Sequence, residues 1–486
     1  MRDIENSIRE LSKGYAPQRE NAKPRIMKVY DKTFKPLLNR KDLDDFFDLY
    51  EYDDPIIKAW AFLGIYQILE NKQYLYGEAK EKLENIVVDI LDNNDKISYY
   101  SGDIETTVSI RTHHGRRISW LHPDIVFEPV YEYVKSKAPE MDKVIGELLE
   151  ELLSKANDPK VEDLLLEYAQ NIYSNDIEGK HVILQGFKNF GENTDLAHKE
   201  QVTEVFKTYL QDLWQKRKSS KNNKLSNNQQ ELEHELIKIG ALLDLELESE
   251  TLKFLENLNG PFAALDQVAE HYKNNETFQS LLMEKLGNTT NQRFIKDILK
   301  AISLIKDQIP NCQELVIKKI EKYEFADTGL IMNLMESNLL DKSILLEMLK
   351  QGEKWQLEFV REFLNLYPEK LDEWNDLYDE VSSILTSFQD ESSDKDSDSE
   401  FYQKKEFALN VVIDLKHPKL VQHCLTNFSN LDDDKLRKMA LFSIITFGED
   451  DLLLDLRKLM EQDETTQQYV KRFWNQLERR DWKFYY

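Results

Sequence analysis

The chain has 486 residues, of which 41% are hydrophobic, which is enough apolar material for roughly two to four ordinary domains or for one array of repeats. Its 64 basic and 90 acidic residues give a net charge of -26, which makes nucleic acid an unfavourable partner because phosphates are repelled. Glycine (15) and proline (12) are scarce, which disfavours all-β and nucleotide-binding folds because these need many tight turns.

Residues 1–41 differ from the rest of the chain in the sign of their charge, with eleven lysines and arginines against five acids. We therefore predict a basic N-terminal arm, which either docks on the protein's own acidic surface or meets an acidic partner. The arm lacks the apolar run of a signal peptide, and no run elsewhere is long enough to cross a bilayer. With only two cysteines, Cys312 and Cys424, the sequence favours a cytoplasmic location.

From residue 42 onward the apolar residues recur every three or four positions, which is the spacing of amphipathic helices. The helices of residues 42–215 form a first segment, and an early one carries Ile57 and Trp60 on one face. Asp54-Pro55 marks the start of that helix, because aspartate caps a helix N-terminus and proline fits its first turn. The whole pattern predicts about twenty helices of roughly 12–18 residues and no strand.

The stretch Ile-Arg-Thr-His-His-Gly-Arg-Arg-Ile-Ser-Trp at residues 110–120 concentrates cations within an acidic chain. In a helix, one stripe would be formed by His113, Arg116, Arg117 and Trp120, which are spaced by three, four and seven positions from the first. Such a stripe could bind a carboxylate or a phosphate through the arginine guanidinium groups, with the tryptophan ring stacked beside it. The alternatives are structural, with the arginines paired to internal acids and the tryptophan in the core, or catalytic. The candidate contact for a protein partner or an anion consists of Arg111, His113, Arg116, Arg117 and Trp120.

Two polar stretches predict linkers, because they are too hydrophilic to bury. Residues 216–230 carry five cations, and residues 390–400 carry six acids against one lysine. The acidic run lacks the glycine and the final glutamate of a calcium-binding loop, so no metal site is predicted there. The aromatic C-terminus either caps the last repeat or forms a partner-binding tail. The linkers divide the helical part of the chain into segments at residues 42–215, 231–389 and 401–486.

Two helix starts resemble each other beyond their periodicity. Residues 54–61 (DPIIKAWA) and 433–440 (DDKLRKMA) place aspartate, an aliphatic residue, a basic residue and alanine at the same spacing, and a looser copy ends at Ala408, 32 residues before Ala440. That distance is about the length of one helical hairpin in a solenoid. The pattern resembles HEAT repeats, most clearly near residues 54–92 and 401–462. The resemblance implies an all-α fold, an α-solenoid of stacked antiparallel helix pairs (HEAT/armadillo-like) in two or three segments.

A HEAT-like fold allows more than one function. The first interpretation is a non-catalytic scaffold or adaptor whose acidic helical surface binds a protein partner with a basic surface or segment. The alternative is a nucleic-acid-acting enzyme of the HEAT-like DNA glycosylase type, using the basic stripe near residues 111–120. HEAT-like di-iron hydroxylases need several His-Glu pairs, and this chain has one, His234-Glu235. With no nucleotide-binding or serine-hydrolase motif, the sequence predicts no cofactor, no metal, no membrane partner and no small-molecule substrate.

Overall fold

The computed structural model describes residues 2–101, 104–173, 176–220, 224–309, 312–325, 327–386, 400–428, 431 and 433–478. The chain falls into two compact units: unit 1 comprises Met1–Phe254 and unit 2 comprises Leu255–Tyr486. Each unit is built mainly of α-helices, as the three- and four-residue spacing of the apolar residues predicts.

The helices of unit 1 are joined mostly by short loops, and a π-helical turn at Tyr30–Phe34 makes α2 and α3 continuous. The last of them, α14, extends into unit 2. They are α1 Arg2–Leu11, α2 Pro24–Val29, α3 Lys35–Arg40, α4 Leu43–Tyr50, α5 Pro55–Leu69, α6 Glu78–Asp92, α7 Ile110–Ser119, α8 Pro123–Lys137, α9 Lys143–Glu151, α10 Lys160–Asn171, α11 Ile177–Gly191, α12 Lys199–Ser219, α13 Asn227–Leu242 and α14 Glu248–Asn257.

Unit 2 continues with helices of similar length, among which only α15 and α22 in the described residues are shorter than eight residues. They are α15 Leu265–His271, α16 Glu276–Asn288, α17 Gln292–Ile305, α18 Cys312–Tyr323, α19 Thr328–Glu336, α20 Lys342–Gln351, α21 Lys354–Leu366, α22 Glu369–Glu373, α23 Asn375–Thr386, α24 Glu400–Leu415, α25 Pro418–Thr426, α26 Asp434–Phe447, α27 Asp450–Gln462 and α28 Glu464–Glu478.

In both units the helices alternate between two layers. In unit 1, α5, α7, α9, α11 and α13 pack one on the next, while α4, α6, α8, α10 and α12 follow each other in the second layer. In unit 2, one layer contains α15, α17, α19, α21, α24 and α26, and the other includes α20, α23, α25 and α27. Because consecutive helices are joined by short connections and pack together, they form antiparallel pairs stacked along the chain.

Three buried tyrosines tie successive repeats of unit 1 together. Each lies in one helix of the second layer and donates a hydrogen bond to a carbonyl in the last turn of the preceding helix of that layer. Carbonyls in a last turn lack an intrahelical partner, so each tyrosine caps its neighbour and fixes the register between repeats. The three hydrogen bonds run from Tyr133 to Leu91 (2.7 Å), from Tyr168 to Val134 (2.8 Å) and from Tyr209 to Ala169 (2.9 Å).

Ion pairs recur between neighbouring repeats at nearly constant separation along the chain. In each, the ammonium group of a lysine reaches a carboxylate on the next or the preceding repeat, 31 to 34 residues away. This separation matches the repeat length that the spacing of Ala408 and Ala440 indicates. The pairs are Lys58–Asp89, Lys160–Glu128 and Lys180–Asp212 in unit 1, and Lys296–Asp327 and Lys342–Asp376 in unit 2.

The basic N-terminal segment of residues 1–41 packs on α4 and α5 through apolar side chains. Trp60 of α5 donates from Nε1 to the carbonyl oxygen of Gly14 at 2.9 Å, and its ring centroid lies 5.0 Å from that of Tyr15 and 4.7 Å from that of Phe34. Most of the segment's lysines and arginines are exposed. Apolar burial therefore helps to hold this segment on unit 1.

The prediction that the chain has no strand is wrong at one place. Strands β1 (Lys96–Ser101) and β2 (Ile104–Ser109) form an antiparallel hairpin between α6 and α7, with Lys96 opposite Ser109. Ile97 is buried, and the hydroxyls of Ser98 and Thr107 lie 2.6 Å apart across the ladder. The sequence favours strands here, because β-branched and aromatic residues are frequent in residues 97–100 and 104–108.

The structure describes most of the basic stretch predicted as a linker, but only the last residue of the acidic one. The basic stretch 216–230 falls inside unit 1, where α12 continues to Ser219 and α13 begins at Asn227. Arg217 pairs with the buried Glu233 of α13, and this contact extends α12 into the stretch. Residues 390–399 of the acidic stretch lie outside the described residues, and α24 begins at Glu400.

Candidate functional site

The cationic stretch begins as a capped helix directly after β2. The Ser109 hydroxyl accepts a hydrogen bond from the amide of Thr112 at 3.1 Å, which starts α7, and Ile118 is buried on its inner face. Gly115 lets α7 approach α9, because a Cβ atom there would lie 2.5 Å from Cγ1 of Val144. Close packing on α9 thus fixes which side chains of α7 turn outward.

Arg111 of this helix points into the protein. Its Nη1 lies 2.6 Å from Oδ2 of Asp142, and its Nε donates to the hydroxyl of Tyr133 at 3.0 Å. Burial alone would raise the pKa of Asp142, but the hydrogen bonds from Arg111 and from the amide of Ile145 lower it. Arg111 is therefore occupied by an internal ion pair that joins α7 to the start of α9.

The two adjacent histidines also face inward. The Nε2 atom of His113 lies 3.0 Å from the hydroxyl of Tyr15, and burial, followed by the charge of Arg117, lowers the pKa of His113 to about 3. His114 is fully buried, and burial, then His113 and Arg117, lowers its pKa. Arg117 is half-buried and donates to the carbonyl of His113 at 2.9 Å. Both histidines are neutral at physiological pH, since the charged form is disfavoured by burial.

Arg116 and Trp120 turn outward next to an aromatic ring of α5, and His122, two residues further on, lies near aromatic residues of the loop after α5. The guanidinium carbon of Arg116 lies 4.9 Å from the ring centroid of Trp120, which is 49% exposed. Tyr74 (56% exposed) and Tyr76 (75% exposed) stack on each other with centroids 6.1 Å apart. The rings of Tyr66 and His122 complete the group, 6.4 Å from Trp120 and 6.5 Å from Tyr74. We call these residues the aromatic patch: Tyr66, Tyr74, Tyr76, Arg116, Trp120 and His122.

The charge of the aromatic patch is not neutralised internally. Among the described residues, no carboxylate lies within 4.0 Å of Arg116 or Arg117, although acids outnumber bases in the chain. Burial, and then the neighbouring Glu70 carboxylate, raises the pKa of Tyr66, while Arg117 opposes this shift. The patch therefore offers a stacked, unpaired guanidinium beside exposed rings, which suits contact with a carboxylate and an apolar group together.

The structure separates the five residues of the predicted contact. It places Arg116 and Trp120 together on the surface, whereas Arg111 and His113 have internal partners and Arg117 lies between the two groups. The prediction missed the tyrosines of the loop at residues 73–77. Their signal in the sequence is a pair of tyrosines in a short polar connection, without the helical spacing that would bury them.

The remaining candidates for chemistry do not form a centre in the described residues. His234 packs against Phe254 with ring centroids 5.6 Å apart, whereas Glu235 lies 2.5 Å from Nδ1 of His181, so the two side chains of the sequence's His-Glu pair have different partners. In the same described ranges, no three histidine, cysteine or acidic side chains are grouped as metal ligands would be. No described helix is long and apolar enough to cross a bilayer.

Antiparallel helix pairs stacked in two layers, each pair packed on the next, define a HEAT-like α-solenoid, so the predicted fold class is confirmed in each unit. No protein-family model matches the chain, and no curated protein matches it. Among solved structures, it resembles Kap121p bound to RanGTP (12% identity, TM-score 0.42, 98% of this chain and 57% of that one). It also resembles importin beta (10% identity, TM-score 0.37, 97% of this chain and 62% of that one) and an engineered protein (12% identity, TM-score 0.30, 92% and 99%).

Proposed function

We propose that the chain is a scaffold or adaptor without catalysis of its own, which binds a protein partner through the aromatic patch of unit 1. The observation that carries this proposal is the exposure of Trp120 beside Arg116, together with the exposed, stacked Tyr74 and Tyr76, which contact the same segment at His122. Tryptophan, tyrosine and arginine dominate the free energy of protein interfaces, because each buries a large area in a well-defined geometry. An exposed cluster of these residue types is therefore the best-supported contact site.

The acidic surface contributes to recognition at longer range. A net charge of -26 attracts a partner that carries a basic surface or segment and accelerates encounter at low salt. At the patch itself, the unpaired guanidinium of Arg116 favours a carboxylate of the partner. We therefore expect a partner that is basic over much of its surface and presents an acidic or aromatic group to the patch.

We further propose a cytoplasmic location for this scaffold. Cys312 and Cys424 are both buried free thiols, as expected in a compartment that keeps thiols reduced. Burial raises the pKa of the Cys424 thiol to about 12, so this group is not a reactive thiolate. Fractionation of the native cells, followed by detection of the protein, tests this location directly.

The partner is tested by nuclease-treated affinity purification from native cytoplasm followed by mass spectrometry. An Arg116→Glu/Trp120→Ala variant removes the cation and its stacked ring, and a Lys143→Glu/Tyr173→Ala variant makes the same kinds of change at exposed residues elsewhere in unit 1. We expect a protein that wild type and control retain and the patch variant loses. If every retained protein is also retained by the folded patch variant, the patch is not the contact site.

A nucleic-acid-acting enzyme receives less support from the same residues. Of the three arginines in the stretch, only Arg116 is exposed, and one guanidinium neutralises one phosphate. The surrounding excess of acids opposes a phosphate backbone as a whole. Fluorescence anisotropy with duplex and single-stranded oligonucleotides separates the two functions, because only the enzyme requires oligonucleotide binding that depends on Arg116.

A further inference from the structure

A second surface of unit 1 carries the opposite charge to most of the protein. The continuous helix formed by α2, the π-helical turn and α3 exposes four cations separated by three, four and three residues. We call these four residues the basic face. It consists of Arg25, Lys28, Lys32 and Lys35.

The opposite side of this helix anchors it firmly. Val29, Phe34 and Leu37 are buried, and the ring of Tyr30 lies 5.9 Å from that of Trp60. Removing these apolar side chains from water stabilises the docked helix and holds the basic face toward solvent. The four cations therefore lie on a fixed scaffold and not on a loose arm.

No cation of the basic face forms an ion pair with a described carboxylate, although Glu10 and Asp31 interact at longer range with Arg25 and Lys35. Asp31 is the one acid between residues 24 and 40, and Arg19 holds it with two hydrogen bonds of 2.7 Å and 2.9 Å. Among the side chains that the structure describes, no carboxylate lies within 4.0 Å of any of the four cations. Four cations without an ion pair stand out in a chain with 90 acidic residues.

We propose that the basic face binds an acidic α-helix of a protein partner. The four cations recur every three or four residues along the helix and are all exposed, so glutamates at a similar spacing on a second helix would bring opposite charges together along its length. A membrane fits less well, because the apolar side of this helix is already buried within unit 1 and cannot insert. Nucleic acid fits less well, because the protein as a whole repels phosphates.

This surface goes beyond the proposed function, since it is separate in sequence from the aromatic patch and takes a partner of opposite charge. Two surfaces of different chemistry on one unit would let the chain hold two partners together. The basic face is tested independently of the patch, because the Trp120→Ala substitution leaves all four cations in place.

The test uses a fluorescein-labelled, alanine-rich helical peptide with glutamates separated by three, four and three residues, and an isomer with the same glutamates in one block. Binding to the full chain is measured by fluorescence anisotropy at low salt. The Lys28/Lys32/Lys35→Gln variant removes three cations of the face. The Lys143/Lys218/Lys224→Gln variant removes three other exposed lysines and has the same net charge. Circular dichroism confirms that both variants are folded.

We expect the Lys28/Lys32/Lys35→Gln variant to lose affinity for the spaced peptide by about tenfold, as three exposed ion pairs imply. The control variant and Trp120→Ala should bind the spaced peptide like wild type, and the block isomer should bind less tightly. Equal binding by wild type and the Lys28/Lys32/Lys35→Gln variant would overturn the proposal. So would binding of duplex DNA or phosphatidylserine vesicles that depends on the face while peptide binding does not.

Discussion

The tyrosine caps between repeats predict a specific loss of stability. Tyr168 is fully buried, and its hydroxyl donates to the carbonyl of Val134 at 2.8 Å. The amide of Ala138, which would otherwise bond this carbonyl within the helix, bonds Lys135 instead. In Tyr168→Phe the ring still fills its space, but the carbonyl is left buried without a donor. The expected cost is about 1–3 kcal/mol in the free energy of unfolding.

Hydrogen exchange at increasing urea concentration, read by mass spectrometry on peptides from α8 and α10, measures this cost where it arises. Tyr131→Phe is the matched control, because Tyr131 is buried in α8, the helix that Tyr168 caps, and its hydroxyl has no hydrogen bond with the described residues. That control should change the free energy by less than about 0.5 kcal/mol. If Tyr168→Phe costs no more than the control, the hydroxyl does not cap α8 and the account of the repeat register is incorrect.

Two further outcomes follow from α7. Because the pKa of His113 is about 3 in the folded protein and about 6.5 when unfolded, the unfolded chain binds the proton first as pH falls. The free energy of unfolding therefore decreases as pH falls from about 6.5 to 3, and the decrease reaches about 2 kcal/mol at pH 5. The urea midpoint of the His113→Gln variant should fall less over this pH range than that of wild type. In thermal unfolding, Gly115→Ala should destabilise the protein by about 1–3 kcal/mol, because the added methyl group overlaps Val144. Gly287→Ala is the control and should stabilise the protein slightly, because no atom lies within 4 Å of the added Cβ.

Local signals in the sequence predict the helical class and several helix starts, because each depends on a few neighbouring residues, but the described residues contain more and shorter helices than the predicted twenty. Asp54-Pro55 starts α5 as expected, with the Asp54 carboxylate accepting from the amides of Ile56 and Ile57. The hairpin at residues 96–109 was missed, because its strand-favouring residues span only a few positions between two strong helical patterns. Its signal, the frequent β-branched and aromatic residues in 97–100 and 104–108, is present in the sequence.

The candidate site could be predicted only in part. The spacing of the cationic stretch places Arg116 and Trp120 on one face of a helix, and they do stack. The spacing cannot show that Arg111 turns inward to pair with Asp142, 31 residues further along the chain. That contact depends on how α7 packs on α9. Tyr74 likewise joins the patch through the path of a loop, which side-chain periodicity does not encode.

The cross-links between repeats also bear on how the chain folds as it is made. The lysine–carboxylate pairs and tyrosine hydrogen bonds join residues 31 to 42 positions apart. At about 5–20 residues per second, the partner of each cross-link leaves the ribosome within roughly 2–8 s of the first residue. Contacts of such short range form quickly, since little loop entropy is lost in closing them. Each repeat can therefore close on the one before it during synthesis, so the apolar edge of an unfinished stack is exposed only briefly.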